Sequence, residues 1–204
     1  GRYFLTLAGK GADHVADSAF SICSIVNFLR FVKNATFQEF FMYFIPFETA
    51  RLRLRPQEAK DAGFALCIWG DPITGKYLTD PALDTIDNLN EYMELLRHLN
   101  DSADCYYVIA EDKVTGQAIG TCCAVIKENG RCWDIGYCIH PTCWRKGYAK
   151  EMVGALVDFG IQNGVKTFLA DVAADNASSC GVMCSLGFAP SENGTFRRSG
   201  TKTE

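Results

Sequence analysis

The chain has 204 residues, 48% of them hydrophobic and 22% charged, with a formal net charge of −4. That length accommodates one domain plus an appended segment, with enough buried surface to fold without a metal or disulfide staple. The ordinary composition excludes collagen, coiled coil and disorder, and the acidic balance argues against a broad nucleic-acid surface, which needs a basic excess.

In chain order, residues 1–45 read as an N-terminal extension. Residues 2–7 suggest a short strand, and 16–32 a helix through Ala19, Ile22, Cys23, Val26 and Leu29. Its apolar stretch is broken by Ser21, Ser24, Asn27 and Arg30, which excludes a membrane span. From Pro46 onward the pattern is α+β. Arg51-Leu52-Arg53-Leu54-Arg55 alternates as a strand with one wet face, and Pro56 ends it. Helices are expected over 58–69 and 83–99. Strands follow over 105–111 and 118–126, and Glu128-Asn129-Gly130 signals a hairpin into a strand over 131–139. After a loop at 141–146 come a helix over 147–162, a strand over 166–172, a short helix over 177–186 and a last strand over 195–203. That last strand leaves a sheet edge, which the extension is expected to cover, within the chain or across a homodimer.

The ten cysteines show no C-x-x-C pair and no zinc-finger spacing. They read as reduced core residues of a cytoplasmic protein, with no metal site. Gly9-Lys10-Gly11 is too short a glycine signal for a dinucleotide loop, because His14 stands where the third glycine belongs.

The most informative stretch is Trp144-Arg145-Lys146-Gly147-Tyr148-Ala149, between a strand and a helix. A helix start has N–H groups without intrahelical partners, a glycine clears space, and two cations add charge, which together suit a phosphate group. An exposed basic loop is the alternative that these features leave open.

This motif resembles the acyl-CoA-binding motif of the GNAT superfamily of N-acetyltransferases, and more narrowly its RimJ/RimL-like branch. Glu48 through Pro56, Trp69-Gly70-Asp71-Pro72, Asp134-Ile135-Gly136-Tyr137, Asn176-Ala177-Ser178-Ser179 and Leu186-Gly187-Phe188 are similar to that branch's other motifs, in family order over residues 47–198. The resemblance implies a mixed α/β fold over 46–204: a mostly antiparallel twisted sheet with a V-shaped splay between two parallel strands, here 131–139 and 166–172. It implies transfer of an acetyl group from acetyl-CoA to a primary amine, such as a protein N-terminus, a small amine or an antibiotic. The alternative is an inactive acyl-CoA-binding regulatory module. N–H groups of Arg145, Lys146, Gly147, Tyr148, Ala149 and Lys150 would hold the pyrophosphate. Backbone groups of Cys138, Ile139 and His140 would meet the pantetheine arm, with the Ile139 N–H polarising the acetyl carbonyl. Asn176 and Ser179 would bond the arm near the thiol.

Asp134 stands at the family's acidic strand position and could take the amine proton; a strand-end carboxylate paired with Arg131 or a lysine is the other reading. His140 reads as a base or as a capping residue. Met183 occupies the place where many family members carry a Tyr acid, which leaves Ser179, or a water it holds, to protonate the leaving thiolate. Asp71, Asp80, Asp84, Asp87, Glu91 and Glu94, on the acceptor side, favour a cationic amine.

Overall fold

A computed structural model describes residues 46–77, 94 and 105–200, all of them within one compact unit, 38–204. The expected strand at 2–7, the helix at 16–32 and the dimer contact through them lie outside these residues. So does the helix over 83–99, apart from Glu94, which is helical.

The described strands form one sheet in the order β1-β2-β3-β4-β5-β6-β8-β7. They are β1 (Phe47–Glu48), β2 (Leu52–Pro56), β3 (Cys105–Asp112), β4 (Ala118–Lys127), β5 (Cys132–Ile139), β6 (Thr167–Asp171), β7 (Ala189–Pro190) and β8 (Thr195–Ser199). Every neighbouring pair is antiparallel except β5–β6. The helices are α1 (Ala62–Trp69), α2 (Tyr148–Gln162) and α3 (Ala177–Ser185). The fold is therefore the mixed α+β sheet with one parallel pair that the sequence led us to expect.

Alternation decides the two sheet faces. Tyr106, Val108, Cys122, Ala124, Trp133 and Ile135 point to one face and pack with Met152, Val153, Leu156 and Val157 of α2. Edge-on contacts from Tyr106 (5.4 Å) and Phe168 (6.0 Å) surround Trp133. Gly160 lets α2 come this close, since a Cβ there would lie 2.7 Å from the Phe168 ring and 2.9 Å from Trp133. The gain in packing offsets the poor helix propensity of glycine.

The β4–β5 hairpin turns through Glu128 (φ 52°), Asn129 (φ 54°) and Gly130 (φ 84°), all left-handed. Two expectations needed correction. The helix over 58–69 is a 3-10 turn, Ala59–Asp61, followed by α1. The last strand is not the sheet edge, because β7 pairs with β8 from outside. Of the ten cysteines the nine described are all free, but Cys67 and Cys184 are exposed rather than core.

Candidate active site

The parallel ladder is short. Strands β5 and β6 pair only at Cys132↔Thr167, Trp133↔Phe168 and Asp134↔Leu169. Beyond Asp134 the two strands diverge, and β5 runs on to Ile139 beside a wedge-shaped gap. The hydrogen-bond phase of β5 follows from its other neighbour. The His140 N–H donates to Ile119 O at 2.9 Å, and the register puts Cys138 opposite Thr121. In an antiparallel pair such residues alternate, so the backbone of Cys138 and His140 faces β4 while that of Tyr137 and Ile139 faces the gap. Of Cys138, Ile139 and His140, only Ile139 has its backbone groups on the side of the gap. The Ile139 carbonyl already accepts the Trp144 indole N–H at 2.6 Å, leaving its N–H as the donor toward the gap. Tyr137 supplies the second gap-facing pair of backbone groups.

At the end of β5 the chain turns through a 3-10 segment, Pro141–Cys143. His140 caps it: its Nδ1 lies 2.8 Å from Thr142 Oγ1 and accepts the Thr142 N–H at 3.4 Å. Its ring also stacks on Phe64 with centroids 5.9 Å apart. Arg145 (φ 62°) and Gly147 (φ 80°) then take left-handed conformations on either side of Lys146. The first intrahelical bond of α2 runs from the Glu151 N–H to Gly147 O. The N–H groups of Tyr148, Ala149 and Lys150 come before it, and no earlier turn of helix exists to accept them. Arg145, Lys146 and Lys150 are exposed around this N-terminus.

On the far side of the gap, Asn176 caps α3, its Oδ1 accepting the Ser179 N–H at 3.1 Å. Ser179 Oγ accepts a hydrogen bond from Tyr137 Oη at 2.9 Å, across the splay. Burial pushes the Tyr137 phenol above its ordinary range, outweighing the opposite effect of Ser179. Met183 is fully buried. A tyrosine hydroxyl thus does reach Ser179 across the gap, from β5 rather than from α3. In the sequence Tyr137 stands within a strand motif, and nothing in its spacing marks the side chain as a partner of Ser179.

Asp134 is the last residue of the parallel ladder. It alternates with Trp133 and Ile135 and so lies on the face opposite α2. Only 7% exposed, it accepts a hydrogen bond from Lys127 Nζ at 2.9 Å. Burial raises its carboxyl pKa above the usual value, more than the Lys127 ammonium lowers it. The lysine partner foreseen for a structural carboxylate is therefore present. A raised pKa, on the other hand, brings the group closer to the working range of a base.

In the segment expected to form the acceptor side, Asp71 Oδ1 accepts the N–H groups of Ile73 and Thr74, both at 2.9 Å, and so holds a turn. Lys76 Nζ reaches Asp175 Oδ2 at 2.9 Å, joining this segment to the loop before Asn176. Glu94 is exposed; Asp80, Asp84, Asp87 and Glu91 lie outside the described residues. Among the described residues no group of three His, Cys, Asp or Glu could hold a metal ion, and no helix is long and apolar enough to cross a membrane.

Comparison with known proteins agrees with this geometry. Residues 51–189 match the model of the acetyltransferase (GNAT) domain. The uncharacterized N-acetyltransferase p20 of Bacillus licheniformis is 30% identical over 145 residues, 69% of this chain and 80% of that protein. Two solved structures share the fold. The spermidine N-acetyltransferase of Vibrio cholerae, in complex with CoA and spermine, has a TM-score of 0.67 at 18% identity, over 76% of this chain and 98% of that one. The ribosomal-protein-S5-alanine acetyltransferase of Vibrio fischeri has a TM-score of 0.66 at 16% identity, over 79% of this chain and all of that one. With the family model spanning most of the sequence, the chain belongs to the GNAT family and is an acetyl-CoA-dependent acetyltransferase.

Proposed function

We propose that this enzyme acetylates a primary amine by direct attack on acetyl-CoA bound in the β5–β6 gap. The observation that carries the proposal is that β5 outruns its parallel ladder with β6 and leads, through residues 140–147, into the N-terminus of α2. Gap-facing backbone groups of Tyr137 and Ile139 suit an extended amide-bearing arm, and the free N–H groups of Tyr148, Ala149 and Lys150 suit a pyrophosphate. Arg145 and Lys146 add positive charge beside it.

Acetyl-CoA supplies an activated thioester; the chain supplies position, charge and protons. The Ile139 N–H stabilises negative charge developing on the thioester oxygen. Asp134 receives the amine proton, directly or through water, as the C–N bond forms. Ser179 passes a proton to the departing sulfur as the C–S bond breaks and takes one back from solvent in the same relay, while Tyr137 orients Ser179 Oγ by donating to one of its lone pairs. The acceptor classes that fit are protein N-termini, polyamine-like small amines and aminated antibiotics. The neighbours' spermidine and ribosomal-protein substrates motivate the first two.

The test is acetyl transfer to a panel of N-terminal peptides, polyamines and aminoglycosides, read by release of free CoA thiol. Turnover with at least one primary amine, abolished when that amine is pre-acetylated, is expected. CoA release that is the same with and without every amine would overturn the reading.

A further inference from the structure

Two of the three residues between Trp144 and Tyr148 have positive φ: Arg145 at 62° and Gly147 at 80°. For a non-glycine residue such a conformation is strained and persists only where neighbouring structure over-determines it. The neighbour is not in the loop. Arg51, from the β1–β2 connection, donates Nη1–H to the carbonyl of Lys146 at 2.9 Å, between the two left-handed residues. The same guanidinium donates Nε–H to Glu151 Oε2 at 2.6 Å, in the first turn of α2, and lies over the Tyr148 ring, 4.3 Å from its centroid.

Glu151 is gripped a second and third time. The Arg51 backbone N–H donates to its Oε1 at 2.8 Å and the Thr49 hydroxyl donates to the same oxygen at 2.5 Å. These bonds hold the Glu151 carboxyl below its usual value: burial would raise it, but the donors from Thr49 and Arg51 outweigh that. Thr49 is held in turn, with its carbonyl accepting from Lys113 Nζ at 3.0 Å.

We infer that Arg51 is a positioning residue for the cofactor's pyrophosphate, setting the loop 145–147 and the start of α2 without touching the ligand. The sheet order separates it from the gap: β2 lies three strands from β5. A planar fork can bond the Lys146 carbonyl and Glu151 together, whereas a lysine ammonium is a point charge on a flexible stem. The inference rests on the proposed cofactor site and assigns to it a residue that sits about a hundred positions away in sequence.

The experiment measures CoA affinity by calorimetry on the full chain, alongside KM for acetyl-CoA, KM for amine, kcat and melting temperature. Arg51→Ala is expected to raise the CoA Kd and acetyl-CoA KM roughly tenfold, the scale of a lost charge-assisted hydrogen bond. The amine KM should stay within about twofold, since the clamp is remote from the acceptor side. Arg51→Lys should behave like Arg51→Ala, because charge without the fork does not hold the loop. Arg53→Ala is the control, since Arg53 pairs with Glu48 in the same hairpin (3.1 Å) and its bonds do not reach the loop. If Arg51→Ala fails to fold, Thr49→Val removes one grip on Glu151 and should raise the Kd about threefold.

Unchanged CoA affinity in folded Arg51→Ala and Thr49→Val, or full rescue by Arg51→Lys, would overturn the inference while leaving the cofactor site intact. A wild-type chain that binds no CoA at all would instead overturn the site reading itself.

Discussion

A Cβ at position 147 would meet only Arg51 Nη2, at 3.5 Å, so there is room for a side chain. What favours glycine is the φ of +80°, which a β-branched residue reaches only with strain. Gly147→Val should therefore distort the loop and weaken CoA binding by roughly 1–3 kcal/mol, whereas Gly147→Asn, tolerant of this region, should lose less. Equal calorimetric affinities for wild type and the valine variant would refute this account of the loop. Asp134 gives a sharper case because its two roles pull apart. Folding raises its pKa, so the folded state holds that proton more tightly than the unfolded chain. The sign follows: the ionised carboxylate costs stability at neutral pH, and that cost disappears as pH falls through the raised value. Asp134→Asn should lower kcat by roughly 10²–10⁴-fold and remove the acidic limb of the pH–rate profile, while the melting temperature holds or rises. A near-normal rate would leave Asp134 as a structural partner of Lys127. For Tyr137→Phe, loss of the hydroxyl on Ser179 should cut kcat about tenfold with CoA affinity intact, as one orienting hydrogen bond is lost. Stopped-flow measurement of thiol release would detect it. Gly147 and Asp134 were visible in the sequence as motif letters. The Tyr137–Ser179 contact joins residues 42 apart, and only folding reveals that pairing.

Elements with a full period were legible. The expectations at 105–111, 118–126, 131–139, 147–162 and 177–186 correspond to β3, β4, β5, α2 and α3 with ends shifted by a residue or so. Those without a period were not: β1 and β7 have two residues each, too few to show alternation, and β7 contains Pro190. The boundary at Asp61 was missed for a different reason. Arg55 closes bidentately on Asp61 at 2.7 and 2.8 Å and also on Glu111 at 2.5 Å, tying β2, the 3-10 turn and β3 together. That network draws Asp61 inward to 6% exposure, where an amphipathic reading of 58–69 would leave it in water. Removing the guanidinium leaves a buried carboxylate uncompensated. Arg55→Met should destabilise the fold by roughly 3–5 kcal/mol, with Arg55→Met/Asp61→Leu recovering much of the loss. Urea denaturation of the single and double variants checks both, and a double variant no more stable than the single would contradict the network explanation.

At the scale of the whole molecule, the sheet of the described residues ends on two very short strands, β1 and β7, one of them carrying a proline. Short, proline-bearing edges discourage pairing with other chains, so among the described residues the strand expected to leave an edge at 195–203 is covered by β7. The sequence could not show this, because β7 precedes β8 in the chain yet lies outside it. The charge distribution has a similar global consequence. Glu48, Asp71, Asp112, Glu151 and Asp175 all have carboxyls held below their ordinary values, Glu151 by net hydrogen bonding that overcomes its burial. A group with a depressed folded pKa contributes stability that is present above its unfolded value and lost as pH falls through the folded one. The ordinary values are 4.5 for Glu and 3.8 for Asp, so this contribution should be complete above about pH 5 and decline below. Asp134 opposes it over the acidic range. Because five groups act against one, the melting temperature should be nearly flat from pH 7 to 5 and fall steadily below. CoA affinity should drop in the same acid window, as protonated Glu151 releases Arg51. Glu151→Gln should pre-empt part of that drop, weakening CoA binding at pH 7 and flattening its acid dependence. A melting temperature that rises on acidification from pH 5 to 3 would show that Asp134 dominates and that the five hydrogen-bonded or ion-paired carboxylates contribute little.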